Sequence, residues 1–291
     1  MGKMVRAISE DGSVMACVLN ATDIVGKMEQ IHQTSAVVTA ALGRLTIAGS
    51  LMGILLKNEK DSLTLRIDAD GPTGSLLVVA NSLGNVKSSV QNSIVELPLN
   101  QYGKLDVSGA VGKQGTLSVI KDLGLKEPYI GQVPIVSGEI AEDITQYYVS
   151  SEQTPTVCGL GVLVNPDLTV RSAGGYLVQL LPFADESCID RLEENLKDIP
   201  PVSSMFDQGM TPEEICNRLL NGLNPNLLDS FQTAYQCDCS KQKVEKALIS
   251  LGREELKKIQ QEEEQIELTC HFCEKRYHFS KQDIQNLIDN S

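Results

Sequence analysis

The strongest constraint on this chain lies near its end, where "CDCSKQKVEKALISLGREELKKIQQEEEQIELTCHFCEKRYHF" runs from Cys237 to Phe279. Four of the eight cysteines stand there, as a Cys-x-Cys pair and a Cys-x-x-Cys pair on either side of a charged helical stretch. Residues 237–291 carry few large apolar side chains, and a module of that size needs a staple beyond its core. A tetrahedral zinc ion takes ligands as two close pairs, and a Cys-x-x-Cys knuckle between two short strands is a common way to present one of them. The candidate ligands are Cys237, Cys239, Cys270 and Cys273, and the implied cofactor is one zinc ion. His271 and His278 read as surface or strand histidines, because four sulfurs already complete the shell, and His32, alone in a helix, reads as structural. A thioredoxin-like role for Cys270 and Cys273 is disfavoured because strands flank the pair on both sides. Cys17, Cys158, Cys188 and Cys216 are scattered through apolar or helical contexts and read as buried small hydrophobes.

Structural zinc is worth on the order of 10–16 kcal/mol, against about 5–15 kcal/mol for the whole stability of a typical domain, so loss of the metal unfolds such a module. The same thiolates are oxidisable, and each has a partner two or three residues away with which to form a disulfide. A permanent zinc fold and an oxidation-triggered unfolding switch are both open at this point, and spacing alone favours the permanent fold.

Upstream, the pattern is α+β: a large N-terminal domain of β-sheet packed with helices (1–183), an acidic helical linker (184–235) and the small four-cysteine domain (236–291). A strand over Val14 to Leu19 leads to a helical stretch from Thr22, read as a cap, to Leu56, with Gly43 or Gly49 marking a break. "SLTLRID", "SLLVVA" and "SIVELPL" read as strands, as do the halves of "GTLSVIKDLGLKEPYIGQVPIVSG". "EIAEDITQYYVSSEQ" reads as a helix, and a hairpin follows, turning at Asn165-Pro166-Asp167. From Ala184 to Gln236 ten acidic residues stand against three basic ones. Two short amphipathic helices fall in this stretch, the second opened by a Thr211/Glu214 capping box with Pro212 in its first turn. Helices this short must dock on something to persist. In the terminal module, helices over Lys241 to Leu251 and "REELKKIQ" precede strands "QIEL" and "KRYHF", and Ser280 caps a last helix. The triple Glu262-Glu263-Glu264 reads as a solvated turn.

The formal net charge of -13, with no basic stripe, argues against nucleic acid as a partner. "SAVVTAALGRLTIAGSLMGILL" is long enough to cross a bilayer, but Arg44 at its centre makes it a buried soluble helix, so no membrane is expected. The N-terminus has no apolar stretch of secretory length, which places the protein in the cytosol. No enzyme is expected: "CGLGVLV" lacks the third glycine of a dinucleotide loop, "DGPTG" lacks the Lys-Ser/Thr of a P-loop, and neither a zincin motif nor a nucleophile elbow is present.

The cysteine pattern, together with "GKQGTLSVIKDLGLKEPYIGQVPIVSGEIAEDITQYYVSSEQTPT" (Gly112 to Thr156), "AGGYLVQLLP" (Ala173 to Pro182) and "CDCSKQKVEKAL", resembles the heat-shock protein 33 family of redox-regulated bacterial holdase chaperones. Two departures stand out: Lys87-Ser88-Ser89 replaces an Arg-Gly-Tyr-like strand, and Phe183 follows "LLP" where glycine is usual. The resemblance implies that the four cysteines bind zinc when reduced. It implies that oxidation joins Cys237 to Cys239 and Cys270 to Cys273 and expels the metal, and that the acidic segment then loses its order. An active homodimer holding unfolding client proteins without ATP is also implied. The rival expectation is a constitutive zinc-stapled adaptor that binds one folded partner without switching. A thiol oxidoreductase is a third.

Overall fold

The computed structural model describes residues 1–182, 184–262 and 265–289, so Phe183 and two of the three acidic turn residues, Glu263 and Glu264, lie outside the described residues. The chain divides into two compact units, Met1–Gln236 and Cys237–Ser291.

The first unit is built on two antiparallel sheets. Its elements are β1 (Gly2–Ile8), β2 (Val14–Asn20), α1 (Thr22–His32), α2 (Ala36–Gly53), β3 (Ser62–Ala69), β4 (Leu76–Asn81) and β5 (Val86–Val90). They continue as α3 (Val107–Val111), β6 (Gly115–Asp122), β7 (Tyr129–Pro134), α4 (Ala141–Tyr147), β8 (Thr156–Val164) and β9 (Val170–Leu180). The acidic segment supplies α5 (Glu186–Lys197), α6 (Val202–Asp207), α7 (Pro212–Leu219) and β10 (Asn226–Thr233). Strand order is β10-β1-β2-β9-β8 in the first sheet and β5-β4-β3-β6-β7 in the second, an α+β arrangement.

Helix α2 explains how the two sheets share a core. It packs on β8 and β9 of one and on β3, β4 and β5 of the other, and 89% of it is buried, which is why a stretch of membrane-like hydropathy needs no bilayer. Its glycines mark close approach, not a break. A Cβ on Gly43 would fall 2.8 Å from Val25 Cγ1, and one on Gly49 would fall 2.6 Å from Val78 Cγ1. The chain breaks earlier, where Gln33 takes a left-handed φ of 48° and Ser35 is extended. Thr22 is the first helical residue, and Ala21 holds the cap position; the Thr22 hydroxyl instead donates to Asn20 Oδ1 at 2.9 Å and accepts from the Ala173 amide at 3.1 Å.

Three further expectations change. β1 precedes the first strand read from the sequence; "SIVELPL" is irregular, its Val95 exchanging hydrogen bonds with the Ser35 hydroxyl (2.8 and 3.0 Å); and Val86–Val90 forms the edge strand β5 despite its departure from the family pattern.

The outer face of the first sheet is apolar as well. Val5, Ala7, Ala16, Val18 and Val178 alternate out of β1, β2 and β9, and they are buried under Cys188, Leu192, Met205, Phe206, Ile215 and Leu219 of α5, α6 and α7. This is the docking partner that such short helices require. A Cβ on Gly174 would meet Phe206 Cε2 at 2.2 Å, so the glycine gives the ring its seat. The capping box forms as the sequence indicates, with the Glu214 amide donating to Thr211 Oγ1 and the Thr211 amide to Glu214 Oε2. Arg171 grips Asp207 at the end of α6 through Nε and Nη2, at 2.6 and 2.7 Å. The acidic segment is not helical throughout: Asn226–Thr233 adds to β1 as the edge strand β10, with Arg6 Nε donating to Asp229 Oδ1 at 2.8 Å.

The second unit contains α8 (Lys241–Ile249), α9 (Arg253–Glu262), the hairpin β11 (Gln265–Thr269) and β12 (Arg276–Ser280), and α10 (Lys281–Asp289). Its buried cluster is Leu248, Leu256, Tyr277, Phe279, Ile284 and Ile288. Ser280 caps α10, its hydroxyl accepting from the Asp283 amide while the Asp283 carboxylate accepts from the Ser280 amide at 2.8 Å.

Candidate metal centre

The hairpin β11–β12 turns through Thr269-Cys270-His271-Phe272-Cys273-Glu274-Lys275. The Cys270 amide donates to the Lys275 carbonyl at 2.9 Å, and the amides of Cys273 and Glu274 return to the Cys270 carbonyl at 3.3 and 2.9 Å. This tight turn, with Glu274 at a φ of 56°, points Cys270 and Cys273 to the same side. The other pair, Cys237 and Cys239, lies in irregular, non-helical chain just before Ser240, whose hydroxyl accepts from the Lys243 amide to cap α8. A Cys-x-Cys pair can converge on one point only from such a non-helical segment.

All four sulfurs lie within 4.8 Å of one another. Cys237 Sγ is 3.7 Å from Cys270 Sγ, and Cys239 Sγ is 3.4 Å from Cys273 Sγ. Bonds of about 2.3 Å to a tetrahedral zinc place its sulfurs about 3.8 Å apart. The four cysteines are thus positioned to hold a metal ion, and a thiolate set of this kind suits a soft or borderline cation.

The thiols are not equivalent. Burial pushes those of Cys237 and Cys273 up. Burial acts in the same direction on Cys239, but hydrogen bonds from the Tyr277 hydroxyl and the neighbouring thiols of Cys273, Cys237 and Cys270 outweigh it and bring Cys239 down to about 7. The Tyr277 hydroxyl donates to Cys239 Sγ at 3.0 Å and is itself held protonated by that bond. Sequence reading missed Tyr277. The available signal was the alternation in "KRYHF", which turns Tyr277 and Phe279 inward beside the knuckle.

His271 and His278 are exposed and stand outside the thiol cluster, His278 facing Glu267 across the hairpin at 3.5 Å. His32 Nε2 lies 3.1 Å from the Tyr235 hydroxyl. Cys17, Cys188 and Cys216 are buried and Cys158 is half-buried; burial pushes the Cys17, Cys158 and Cys216 thiols up, Cys216 to about 12.

Fold and site together define a two-unit α+β protein whose small C-terminal unit carries a metal-competent cluster of four thiols. Residues 2–280 match the family model described as Hsp33 protein. A 33 kDa chaperonin of Lachnoclostridium phytofermentans is 48% identical over 288 residues, covering 99% of this chain and 98% of that protein. A second, from Geobacillus, is 46% identical over 98% of this chain and 96% of its own length. The crystal structure of the 33 kDa chaperonin of Thermotoga maritima superposes with a TM-score of 0.90 at 35% identity, covering 99% of this chain and 98% of that one. The chain belongs to the Hsp33 chaperone family.

Proposed function

We propose that this chain is a cytosolic, redox-regulated holdase that binds unfolding proteins without ATP and becomes active when its C-terminal thiols are oxidised. The observation that carries the reading is the outer face of the first sheet: an apolar surface covered, among the described residues, by the three short helices of the acidic segment and their connections. Under this reading residues 1–183 offer client-binding surface, 184–235 form the cover and 236–291 form the switch.

In the reduced protein Cys237, Cys239, Cys270 and Cys273 would hold one zinc ion. When bound, that ion keeps four sulfurs deprotonated and ties the Cys237–Cys239 segment to the β11–β12 knuckle. In the metal-free cluster, hydrogen bonds from Tyr277 and the neighbouring thiols would make Cys239 the sulfur most readily deprotonated. Joining Cys237 to Cys239, and Cys270 to Cys273, would withdraw two electrons from two thiolates per bond; one hydrogen peroxide accepts each electron pair together with two protons from solvent, and its O–O bond breaks to give two waters. The terminal unit, with six large side chains as its buried cluster, then lacks what holds it together. Residues 234–236, hydrogen-bonded to Val86 of β5, separate β10 from Cys237, so loss of shape in the terminal unit would pull on the end of the acidic segment, and α5, α6 and α7 would leave the sheet. Exposed Val5, Val18 and Val178 would then bind nonnative chains, in a homodimeric active form.

The test is zinc content, helical circular dichroism and suppression of client aggregation, measured before and after peroxide at mildly raised temperature. Zinc release, loss of helical signal and gain of suppression are expected together. Equal suppression by reduced and oxidised protein would sink the proposal. The constitutive adaptor instead predicts that Cys237→Ser with Cys239→Ser destabilises the tail without any gain of holdase activity.

A further inference from the structure

A hollow of about 640 Å³ lies between the first half of α2, the β8–β9 hairpin, the 99–105 loop and the start of α6, and the redox reading makes no use of it. Its size falls within the range of about 300–1,000 Å³ typical of small-molecule sites. The walls are largely aliphatic, with Leu99, Leu105, Leu160 and Val162 among them. Among the described residues, the charged side chains lining it are Arg44 and Lys104, and no Asp or Glu lines it. With Glu139 paired to Arg44, the two cations leave an excess of one positive charge at the hollow in a chain of net charge -13, so the hollow favours a negative group attached to hydrocarbon.

Arg44 adds a specific feature. One of its terminal nitrogens, Nη1, serves Glu139, donating to the carbonyl at 3.2 Å and to the carboxylate. Its Nε is buried and has no hydrogen-bond partner. Nε and Nη2 form the two-donor edge of a guanidinium that matches a carboxylate, and a buried donor without an acceptor is a standing cost that an arriving acceptor relieves after a small rotation of the side chain. We infer that this hollow binds an aliphatic carboxylate, its head on Arg44 and Lys104 and its chain among Leu99, Leu105, Leu160 and Val162.

Pro201, Ser203 and Ser204, at the start of α6, form one wall of the hollow, whereas α2 and the β8–β9 hairpin form the others. An occupant touches both the fixed core and the cover, so it favours the state in which α6 is docked. The site stands independently of the proposed redox function, because binding can be read on reduced protein.

Full-length, reduced, zinc-loaded protein titrated with monomeric octanoate should give saturable, one-to-one heat. Octan-1-ol should bind about tenfold more weakly and octylammonium not at all, since the head is recognised by charge-assisted hydrogen bonds. Arg44→Gln and Lys104→Glu should each weaken octanoate about tenfold. Arg44→Gln also removes the Glu139 pair and could loosen the fold, so Leu99→Glu, at a rim position 59% exposed, should weaken binding likewise with the thermal midpoint unchanged. Amide exchange across Val202–Asp207 should slow when octanoate is bound. Absence of saturable heat, equal binding of octanol and octanoate, or unchanged affinity in both Lys104→Glu and Leu99→Glu would overturn the assignment.

Discussion

The two faces of the first sheet are both apolar and both covered by helix, yet the covers differ in kind. On the inner face lies α2, 18 residues long, with no acidic residue and with contacts to both sheets. On the outer face lie α5, α6 and α7, of 12, 6 and 8 residues, each with an acidic residue and each docked chiefly on the first sheet or on one another. Removing α2 means taking apart the whole first unit. Removing the outer helices means losing one layer, at the low end of the range of local stabilities within a single protein. Two apolar faces of one sheet thus carry covers of different kind, and under the proposed function the inner one is permanent core and the outer one the lid that would be removed.

The largest effect should come from the metal. Chelating it from the reduced protein, or replacing Cys270 with Ser, should unfold residues 237–291, because a term on the order of 10 kcal/mol is withdrawn from a small core. Amide protection should then fall in α5 to α7 while α2 stays protected. If α2 and α5 to α7 lose protection together, the two faces are not the distinct layers described above.

Paired cavities sharpen the same contrast. Leu45→Ala and Phe206→Ala should each cost about 2–5 kcal/mol locally, but in different currencies. Leu45 faces the shared core, so its loss should lower the denaturation midpoint of the whole first unit. Phe206 sits on Gly174, so its loss should mainly speed opening of α6, seen as faster amide exchange and binding of a hydrophobic dye at an unchanged midpoint.

A smaller effect is expected at Tyr277→Phe. The Cys239 sulfur loses its hydroxyl donor, its thiol should titrate at higher pH, and metal affinity should fall about tenfold, measured by competition with a chromogenic chelator.

Smallest is the effect of acid on the outer cover. The Cys188 amide at Asp185, Lys3 at Glu213 and the Thr211 amide at Glu214 hold these three carboxyls below their ordinary range. A depressed folded-state pKa contributes stability that is complete above the unfolded value and is lost as pH falls through the folded one, so α5 and α7 should begin to loosen below about pH 4 while α2, without acidic groups, does not. Amide exchange followed from pH 6 to 3 checks this.

Much of the site was legible because its chemistry is local: Cys-x-Cys and Cys-x-x-Cys announce their convergence by spacing, and the Thr211/Glu214 box announces a helix start. The hairpin of the terminal unit was legible for the same reason. What escaped depends on distant partners. Gly43 and Gly49 look like helix breakers until Val25 and Val78 are seen against them. β1 carries Lys3 and Arg6 on opposite faces, with no clean polar–apolar alternation, and becomes a strand through its pairing with β2 and with β10, more than two hundred residues away. β10 itself stands in an acidic stretch of helical character, and its exposed Leu227 and Leu228 give no hint of the ladder they join. Tyr277 becomes a donor to sulfur only once the knuckle has folded beside it.

Under the proposed function, the placement of β10 would also govern how the lid returns. The outer helices leave the sheet after β9 and rejoin it at β10, and the sheet order separates those strands by three steps, about 14 Å at the usual strand spacing. While β10 keeps its ladder with β1, a detached lid is a loop moored at both ends above its own berth. Its recapture is an intramolecular event, governed by an effective concentration in the millimolar range and independent of how dilute the protein is.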